Sequence, residues 1–225
     1  MNKAVITADI VHSRELSEKG RSWLLRELKR ELKQIDIDFE TKSEIYRGDS
    51  IQILVHDVKH ALRVALRLKT CIKGLNPSEK AELYKAETLI SKRLVPVWIL
   101  DIKVAIGIGD VGFVGKNIIT SDGEAFQISG LLLDRIKNSN QTMAIESADE
   151  NNAALKVESM MLDAILSRST ALQAQVLYFK LRHFTEVVIA KTLKINQSAV
   201  NQRSTKGSWN VISEYLNYFE AMYDR

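Results

Sequence analysis

The strand-like runs of this chain are confined to its first two thirds, and this restricts the fold more than any other feature. Five short strand-like runs lie within residues 1–147, interleaved with segments of helical periodicity. They read AVITAD, SEIYR, SIQILV, DIKVAIGI and TMAIE. From residue 148 onward the pattern is helical throughout. We therefore expect an α/β domain over residues 1–147, followed by an all-helical domain over residues 148–225.

The order of the elements in the first part predicts a mixed sheet. A strand is followed by a long helix, a two-stranded hairpin, a second helix and another strand with alternating apolar residues. A first strand that returns beside a hairpin to which it is not adjacent in sequence builds the ferredoxin-like or polymerase-palm arrangement. The sequence thus predicts an α+β fold, with helices on one face of the sheet.

Three helices are expected between these strands. Residues 21–35 carry leucines and an isoleucine at helical spacing on one side and charged residues on the other, as in an amphipathic helix that covers a sheet. A second helix is expected from Asp57, a suitable N-cap, to Gly74. A third is expected from Pro77 to about Leu94, because proline is favoured at the first helical position. Its charged, weakly patterned sequence indicates no chemical role.

Two aspartates are expected to meet at one end of this sheet. Asp9 ends the first strand, and Asp49 follows Gly48, which supplies the positive φ of a tight hairpin turn. Taken singly, each aspartate is typical of a structural or solvated position. Two carboxylates about 4 Å apart, however, repel by roughly 4 kcal/mol at an effective dielectric constant of 20, so the pair requires a shared cation or a raised pKa. Mg²⁺ held by carboxylates and by the phosphates of a ligand meets this requirement.

The loop that follows Asp9 suits a phosphate. It reads Ile10-Val11-His12-Ser13-Arg14 and offers backbone N–H groups, with Arg14 as a counter-charge. We therefore expect a nucleotide or another phosphate ligand, bound together with Mg²⁺ or Mn²⁺.

Four motifs resemble, in order and spacing, the catalytic domain of class III nucleotide cyclases. They are AVITADIVHSREL, IYRGDSIQILV, VAIGIGD and DGEAFQISGLL. The chain is more similar still to the bacterial SatD family, whose members join such a domain to a C-terminal helix-turn-helix. This resemblance covers nearly the whole chain except residues 77–94. It implies that Asp9 and Asp49 hold metal ions and that the Ile10-Val11 peptide binds phosphates.

The chain also departs from the cyclase pattern. Ile45 stands where active cyclases carry a base-reading lysine, Gln127 replaces the ribose-orienting asparagine, and Leu131 replaces the transition-state arginine. An arginine that neutralises charge in phosphoryl transfer is worth several powers of ten in rate. Arg135, one helical turn beyond Leu131, is a substitute or a surface residue. These departures favour a nucleotide-binding domain over an efficient cyclase.

A second motif lies in the helical part, in the segment HFTEVVIAKTLKINQSAVNQRSTKGSW. We expect a helix capped by Thr185, a turn filled by Ile195, and a second helix capped by Asn196. Buried positions are expected at Val188, Ile189, Leu193 and Val200. This is the pattern of a helix-turn-helix, with the second helix as the recognition helix. A helical hairpin that serves only packing or dimerisation is the alternative.

The charge of this motif favours duplex DNA as the partner. Residues 182–206 hold five basic residues against one acidic residue, a surplus of +4 that equals the net charge of the whole chain. Amide side chains read base edges, and basic groups contact phosphates. The residues expected to contact DNA are Lys191, Lys194, Gln197, Ser198, Asn201, Gln202, Arg203 and Lys206.

Other features restrict the class of protein. The single cysteine, Cys71, allows no internal disulfide, and no apolar run is long enough to cross a bilayer, so we expect a cytoplasmic protein that does not bind a membrane. The four histidines have no ligand-cluster spacing. Residues 155–166 are apolar all round, which is typical of a helix buried between domains or at a subunit interface.

The sequence as a whole predicts a DNA-binding regulator whose cyclase-like domain binds a metal-nucleotide or phosphate ligand. We expect it to act as a homodimer, because a lone helix-turn-helix reads only a few base pairs. Two alternatives stay open. One is an enzyme that forms or breaks a phosphodiester and is localised by its helix-turn-helix, and the other is a structural adaptor.

Overall fold

The strands of the protein form one five-stranded sheet with the order β2-β3-β1-β4-β5. The computed structural model describes residues 2–46, 48–75, 83, 100–113, 115, 118 and 121–224. The strands are β1 (Lys3–Val11), β2 (Lys42–Tyr46), β3 (Ser50–Val55), β4 (Asp101–Gly109) and β5 (Met143–Ser147). All five predicted strands are confirmed.

Helices fill most of the remaining chain. They are α1 (Glu18–Phe39), α2 (Ala61–Gly74), α3 (Glu124–Lys137), α4 (Asn152–Arg168), α5 (Ala171–Leu181), α6 (Glu186–Leu193), α7 (Gln197–Lys206) and α8 (Trp209–Tyr223). Asp57 caps a short 3₁₀ turn, Val58–His60, that leads into α2. The helix expected over residues 77–94 lies outside the described residues, apart from Leu83.

Strand β1 is the centre of the sheet. It pairs antiparallel with β3 on one side and with β4 on the other, whereas β4 and β5 are parallel. This register places Asp9 opposite Ser50 on β3 and opposite Lys103 on β4. The predicted mixed sheet, with a first strand that returns beside a non-adjacent hairpin, is therefore confirmed.

The prediction that helices cover only one face of the sheet is wrong. Helices α1 and α2 pack on one face, where Ile6 and Ala8 belong to the main core, but α3 covers the other face. A Cβ atom on Gly107 would lie 2.4 Å from the Ala125 carbonyl oxygen, so this glycine lets α3 approach β4 closely. This second face of the sheet carries apolar residues such as Val5, and α3 shields them from water.

Helix α2 is buried around its whole circumference although it carries four cationic residues. Most of the hydrogen-bond partners of these cations belong to segments that are distant from α2 in the sequence. Arg63 donates from Nε and Nη2 to the Glu220 carboxylate of α8 at 2.7 and 3.1 Å. Lys73 donates to the carbonyl oxygens of Leu166 and Ser167 at 2.8 and 3.1 Å, at the end of α4. The C-terminal helices therefore complete the hydrogen bonding of α2.

Arg67 joins three helices in the same region. Its Nε and Nη2 atoms donate to Glu31 Oε1 of α1 at 3.1 and 2.8 Å, and Nη1 donates to Asp38 Oδ2 at 2.5 Å. The Tyr178 hydroxyl of α5 donates to the other Glu31 oxygen at 2.5 Å. Burial and the Glu31 charge raise the pKa of Tyr178, which keeps it protonated as the donor.

The main apolar core runs across the boundary predicted near residue 147. It joins strand residues such as Ile106 to Leu155 and Leu162 of α4, Leu177 of α5 and Phe219 of α8. The division into two domains stays a prediction, and the helices after β5 share one core with the sheet.

One prediction of burial in the helical part is wrong. Val188 is 45% exposed, because α6 turns its neighbour Ile189 into the core instead. Helix α4 buries the face that carries Leu155, Leu162 and Leu166, and its opposite face is exposed in the single chain, so its location at a subunit interface stays a prediction. Among the described residues, no helix is long and apolar enough to span a membrane.

We expect the buried Arg67 cluster to be essential for stability. Arg67→Met keeps much of the side-chain volume but leaves Glu31 buried without its cation, which should lower the free energy of unfolding by about 3–5 kcal/mol. Arg26→Met is the control, because Arg26 pairs with Glu27 while 72% exposed and should cost at most about 1 kcal/mol. Urea unfolding followed by circular dichroism measures both, and equal losses would contradict this role.

Candidate functional site

The turn between β2 and β3 lies beside the end of β1. The Ile10 amide donates to the Asp49 carbonyl oxygen at 3.2 Å, so the ladder between β1 and β3 continues to the turn residue itself. Gly48 takes φ = +83° in this turn, a value that favours glycine. Asp9 and Asp49 therefore lie at adjoining strand ends, on two segments that the chain separates by about 40 residues.

Each of the two carboxylates accepts a hydrogen bond from a buried serine. Ser50 Oγ donates to Asp9 Oδ1 at 2.8 Å, and Ser13 Oγ donates to Asp49 Oδ2 at 2.8 Å. Both serines are 8% exposed. These bonds hold each carboxylate in a defined orientation and still leave further lone pairs for another ligand.

A lysine that the sequence did not suggest completes this cluster. Lys137 Nζ, at the end of α3, lies 3.4 Å from Asp9 Oδ2. Two neighbouring carboxylates require a compensating cation, and Lys137 provides one from within the chain. It lies 128 residues from Asp9 in sequence, so neither spacing nor a local motif could have revealed it.

The donors present suit a metal ion that arrives with its ligand. Among the described residues, no group of three His, Cys, Asp or Glu side chains could hold a metal. Mg²⁺ usually binds through one or two carboxylates, several waters and the phosphates of a ligand. Asp9 and Asp49 fit that mode, and they do not fit a cage made entirely of protein ligands.

Several polar groups of the loop after β1 already form hydrogen bonds within the protein. His12 takes a left-handed conformation with φ = 65° and precedes a 3₁₀ turn, Ser13–Glu15. The Ile10 amide already donates to the Asp49 carbonyl oxygen. A phosphate would therefore have to bind amides further along the loop or the exposed Arg14. The assignment of Ile10, Val11, Ser13 and Arg14 to phosphate binding stays a prediction.

A cavity of about 350 Å³ opens on the other side of the β1 end. Its lining includes Val11, Asp101, Lys73 and Lys103. Lys103 donates to three carbonyl oxygens at the end of α3, those of Ile136, Lys137 and Ser139, at 2.6–3.2 Å. This lysine therefore caps α3 and fixes the helix end that carries Lys137.

Of the positions that depart from the cyclase pattern, Ile45 lines an open pocket with Lys29 and Lys33, whereas Gln127 and Leu131 lie on the exposed face of α3. Ile45 packs against the main core, and Gln127 is exposed. Leu131 is 69% exposed on α3. Arg135, the candidate substitute for the missing arginine, pairs with Glu146 of β5, and 61% of its side chain is exposed.

Helices α6 and α7 are joined by a three-residue turn and pack against α5. The Thr185 hydroxyl accepts a hydrogen bond from the Val188 amide at 3.4 Å, and Asn196 Oδ1 accepts one from the Ala199 amide at 2.7 Å, so both helices begin at the predicted caps. Lys194 takes a left-handed conformation, φ = 55°, at the end of α6. Their shared core is formed by Val176, Ile189, Ala190 and Val200, with Phe179, Phe184, Leu193 and Ile195 packed against it.

The outer face of α7 is polar and open. Val200 and Ser204 face the core, which leaves the residues predicted to read bases on the solvent side. Gln197, Ser198, Asn201 and Gln202 are exposed, as are Lys191, Lys194 and Lys206, while Arg203 is half-buried. Six of the eight residues predicted to contact DNA thus lie on α7, and the other two, Lys191 and Lys194, lie within α6 and at its end.

Comparison with known proteins yields matches among solved structures alone. No protein-family model matches the chain, and no curated protein matches it. The chain is similar to a bacterial light-regulated adenylyl cyclase, at 14% identity over 64% of this chain and 75% of that one, with a TM-score of 0.42. It is also similar to the guanylyl cyclase Cya2 (15% identity, 65% and 75% covered, TM-score 0.42) and to the adenylyl cyclase CyaB from P. aeruginosa (18%, 70% and 82%, 0.40). Similarity at this level describes a general arrangement of strands and helices and says nothing about activity.

Lys137 should compete with any metal ion that binds Asp9. Lys137→Gln is expected to strengthen Mn²⁺ binding about two- to fivefold, since a partly exposed ion pair is worth up to about 1 kcal/mol. Titration calorimetry with the full chain measures this. Lys156→Gln is the matched control, because it removes the same charge from a lysine that lies 3.5 Å from Glu146 instead. Unchanged or weaker Mn²⁺ binding in Lys137→Gln would show that this lysine does not compete.

Proposed function

We propose that the protein is a DNA-binding regulator whose α/β part binds a phosphate-bearing ligand, such as a nucleotide, together with Mg²⁺ or Mn²⁺. In this proposal α6 and α7 form a helix-turn-helix, and two copies of the chain bind two half-sites of duplex DNA. This is also the arrangement that the resemblance to the SatD family implies. The observation that carries the proposal is the polar, basic and exposed face of α7, held on a packed core.

The geometry of α7 supports DNA as the partner. A recognition helix must be fixed on its inner side and must offer hydrogen-bonding groups on its outer side. Val200 is fully buried, whereas Asn201 and Gln202 are exposed on the next positions of the helix. Amide side chains can form paired hydrogen bonds with an adenine edge, and nearby lysines can contact phosphates. A helical pair that served only packing would have no use for this surface.

The cluster at the end of β1 supports a phosphate-bearing ligand with a divalent cation. Asp9 and Asp49 are oriented by buried hydroxyl groups rather than left free in solvent. A bound metal supplies positive charge to ligand phosphates, and the lysine now beside Asp9 would be free to contact those phosphates. If the metal replaces Lys137 as the partner of Asp9, ligand binding changes the contact between the end of α3 and β1.

The two parts are connected by a continuous set of contacts. Tyr178 bonds Glu31 of α1, Arg182 donates to the Tyr178 hydroxyl at 3.0 Å, and the Arg182 guanidinium lies 5.1 Å from the centre of the Phe184 ring. Phe184 in turn packs against the core of α6 and α7. A shift of α1 or α2 would therefore reach the proposed DNA-binding helices through buried or half-buried groups.

Two substitutions on α7 should separate base reading from phosphate binding. Asn201→Ala should relax sequence preference at one base pair by about 1–3 kcal/mol. Lys206→Ala should weaken all sequences alike and lower the salt slope of log K by about 0.9. Selection of bound fragments from genomic DNA, followed by gel shifts at several salt concentrations, measures both effects. If the protein retains no DNA at low salt, with or without nucleotide and Mg²⁺, the regulator proposal is wrong.

Ligand binding should depend on both aspartates. Asp9→Asn and Asp49→Asn are each expected to abolish Mn²⁺-dependent binding of ATP or GTP in calorimetry, because each removes one anionic metal ligand. Asp57→Asn is the control, since Asp57 caps a turn elsewhere. Equal binding by both variants and the unaltered chain would contradict the site.

The same samples also test the enzyme alternative. The exposed Leu131 and the surface pair of Arg135 leave no arginine placed for transition-state charge among these positions, so we expect turnover to be absent or very slow. Mass spectrometry after incubation with each nucleoside triphosphate and Mn²⁺ detects any product. Several turnovers per second would make a phosphodiester-forming enzyme the better description.

A further inference from the structure

Helix α4 exposes an apolar face that the rest of the described chain does not cover. Val157 is 53% exposed, Met160 60% and Met161 65%. These residues lie on the side of α4 opposite Leu155 and Leu162, which are buried in the main core. Large apolar side chains grouped on one open helix face are typical of an interaction surface.

The exposed face of α4 can pack against the same face of a second copy, because its large and small side chains lie at matching positions. The Met160–Met161 bond lies at its centre, and Val157 and Ala164 are equally distant from that bond along the helix, as are Ala153 and Arg168. All of these residues are exposed and lie within one helical stripe. If two copies of α4 packed antiparallel about a two-fold axis through this bond, Val157 would meet Ala164 of the partner subunit, and the reverse contact would form as well. In each of these two contacts, the large side chain of Val157 would face the small side chain of Ala164.

The charges at the two ends of α4 favour the same antiparallel arrangement. Glu150 lies just before the helix and Arg168 is its last residue, and both are exposed. Neither forms an ion pair within the described part of the chain. In an antiparallel pair, Arg168 would lie beside Ala153 of the partner subunit, one turn from the partner's Glu150, at both ends. A parallel pair would instead bring like charges together, which is unfavourable.

We propose that the exposed face of α4 is the homodimer interface, formed by two antiparallel copies of this helix centred on Met160 and Met161. A C₂ axis makes the same patch serve both subunits, which requires the self-complementarity seen on this face. The inference deepens the proposed function, since it rests on the homodimer named there and assigns its surface. The faces of α7 and the cluster at Asp9 take no part in it.

Charge reversal tests the antiparallel pairing directly. Glu150→Arg and Arg168→Glu should each raise the dimer Kd about tenfold, because each places like charges at both ends of the interface, and the double variant should restore the original Kd. Analytical ultracentrifugation of the full chain measures these constants. Loss of dimerisation in both single variants without recovery in the double variant would overturn the proposed pairing.

A second pair of variants tests the apolar centre. Met161→Asp should raise the dimer Kd at least about 100-fold, because it places a charge in an apolar contact. Ile37→Asp is the matched control, since Ile37 is 64% exposed on α1 and should leave the Kd unchanged. Because both side chains are exposed, neither change should alter the thermal midpoint by more than a few degrees.

Cysteine cross-linking tests the register of the two helices. A mixture of Val157→Cys and Ala164→Cys chains should give, on mild oxidation, a disulfide-linked pair with one chain of each kind, whereas either variant alone should give little. The unaltered chain, which carries the half-buried native Cys71 on α2, is the control for cross-linking through that thiol. A monomer at 100 µM would overturn both the interface and the homodimer. A dimer that ignores every α4 variant would overturn the interface and leave the homodimer and DNA binding standing.

Discussion

The complete burial of α2 is the constraint on which the rest of the structure depends. A helix with Arg63, Arg67, Lys69 and Lys73 in its sequence can be buried only if each cation finds a partner, because an unpaired buried charge costs several kcal/mol. Glu31 and Asp101 supply anions from α1 and β4, and Lys69 also donates to the Ile102 carbonyl oxygen and the Thr142 hydroxyl, at 2.9 Å each. The helices after β5 provide the remaining acceptors, so neither part of the chain is complete without the other.

The burial of whole elements also explains why the strands could be predicted from the sequence and the surroundings of α2 could not. Alternating apolar residues predicted all five strands, because a strand in this sheet has at least one buried face that imposes the period of two. The sequence alone does not reveal that α2 is buried on all sides. The charged residues between its apolar positions indicate a solvated side, and only the tertiary contacts with Glu220 and with the end of α4 show that they are buried.

The candidate site shows a similar division between what the sequence could and could not predict. Asp9 and Asp49 were found because each ends or interrupts a strand-like run, and the topology brings such positions together. Lys137 belongs to a helix end with no motif, so its position beside Asp9 depends on the packing of α3 against the sheet. The position of α3 on the second face of the sheet was missed for the same reason, since Val5 and Ala105 are small apolar residues that fit either face of a strand.

The two candidate sites are also connected through β4 and α2. Asp101 pairs with Val11, the last residue of β1, and its carboxylate accepts hydrogen bonds from Lys69 at 3.0 Å and Lys73 at 3.5 Å. Lys73 also donates to the carbonyl oxygens of Leu166 and Ser167 at the end of α4, and Ser167 lies three residues before Thr170, which caps α5. A ligand shifts an equilibrium only by the difference between its affinities for the two states. The proposed ligand meets that condition only if it moves the end of β1, because Asp101 and Lys73 join that strand end to the end of α4, which leads into α5 and from there to α7.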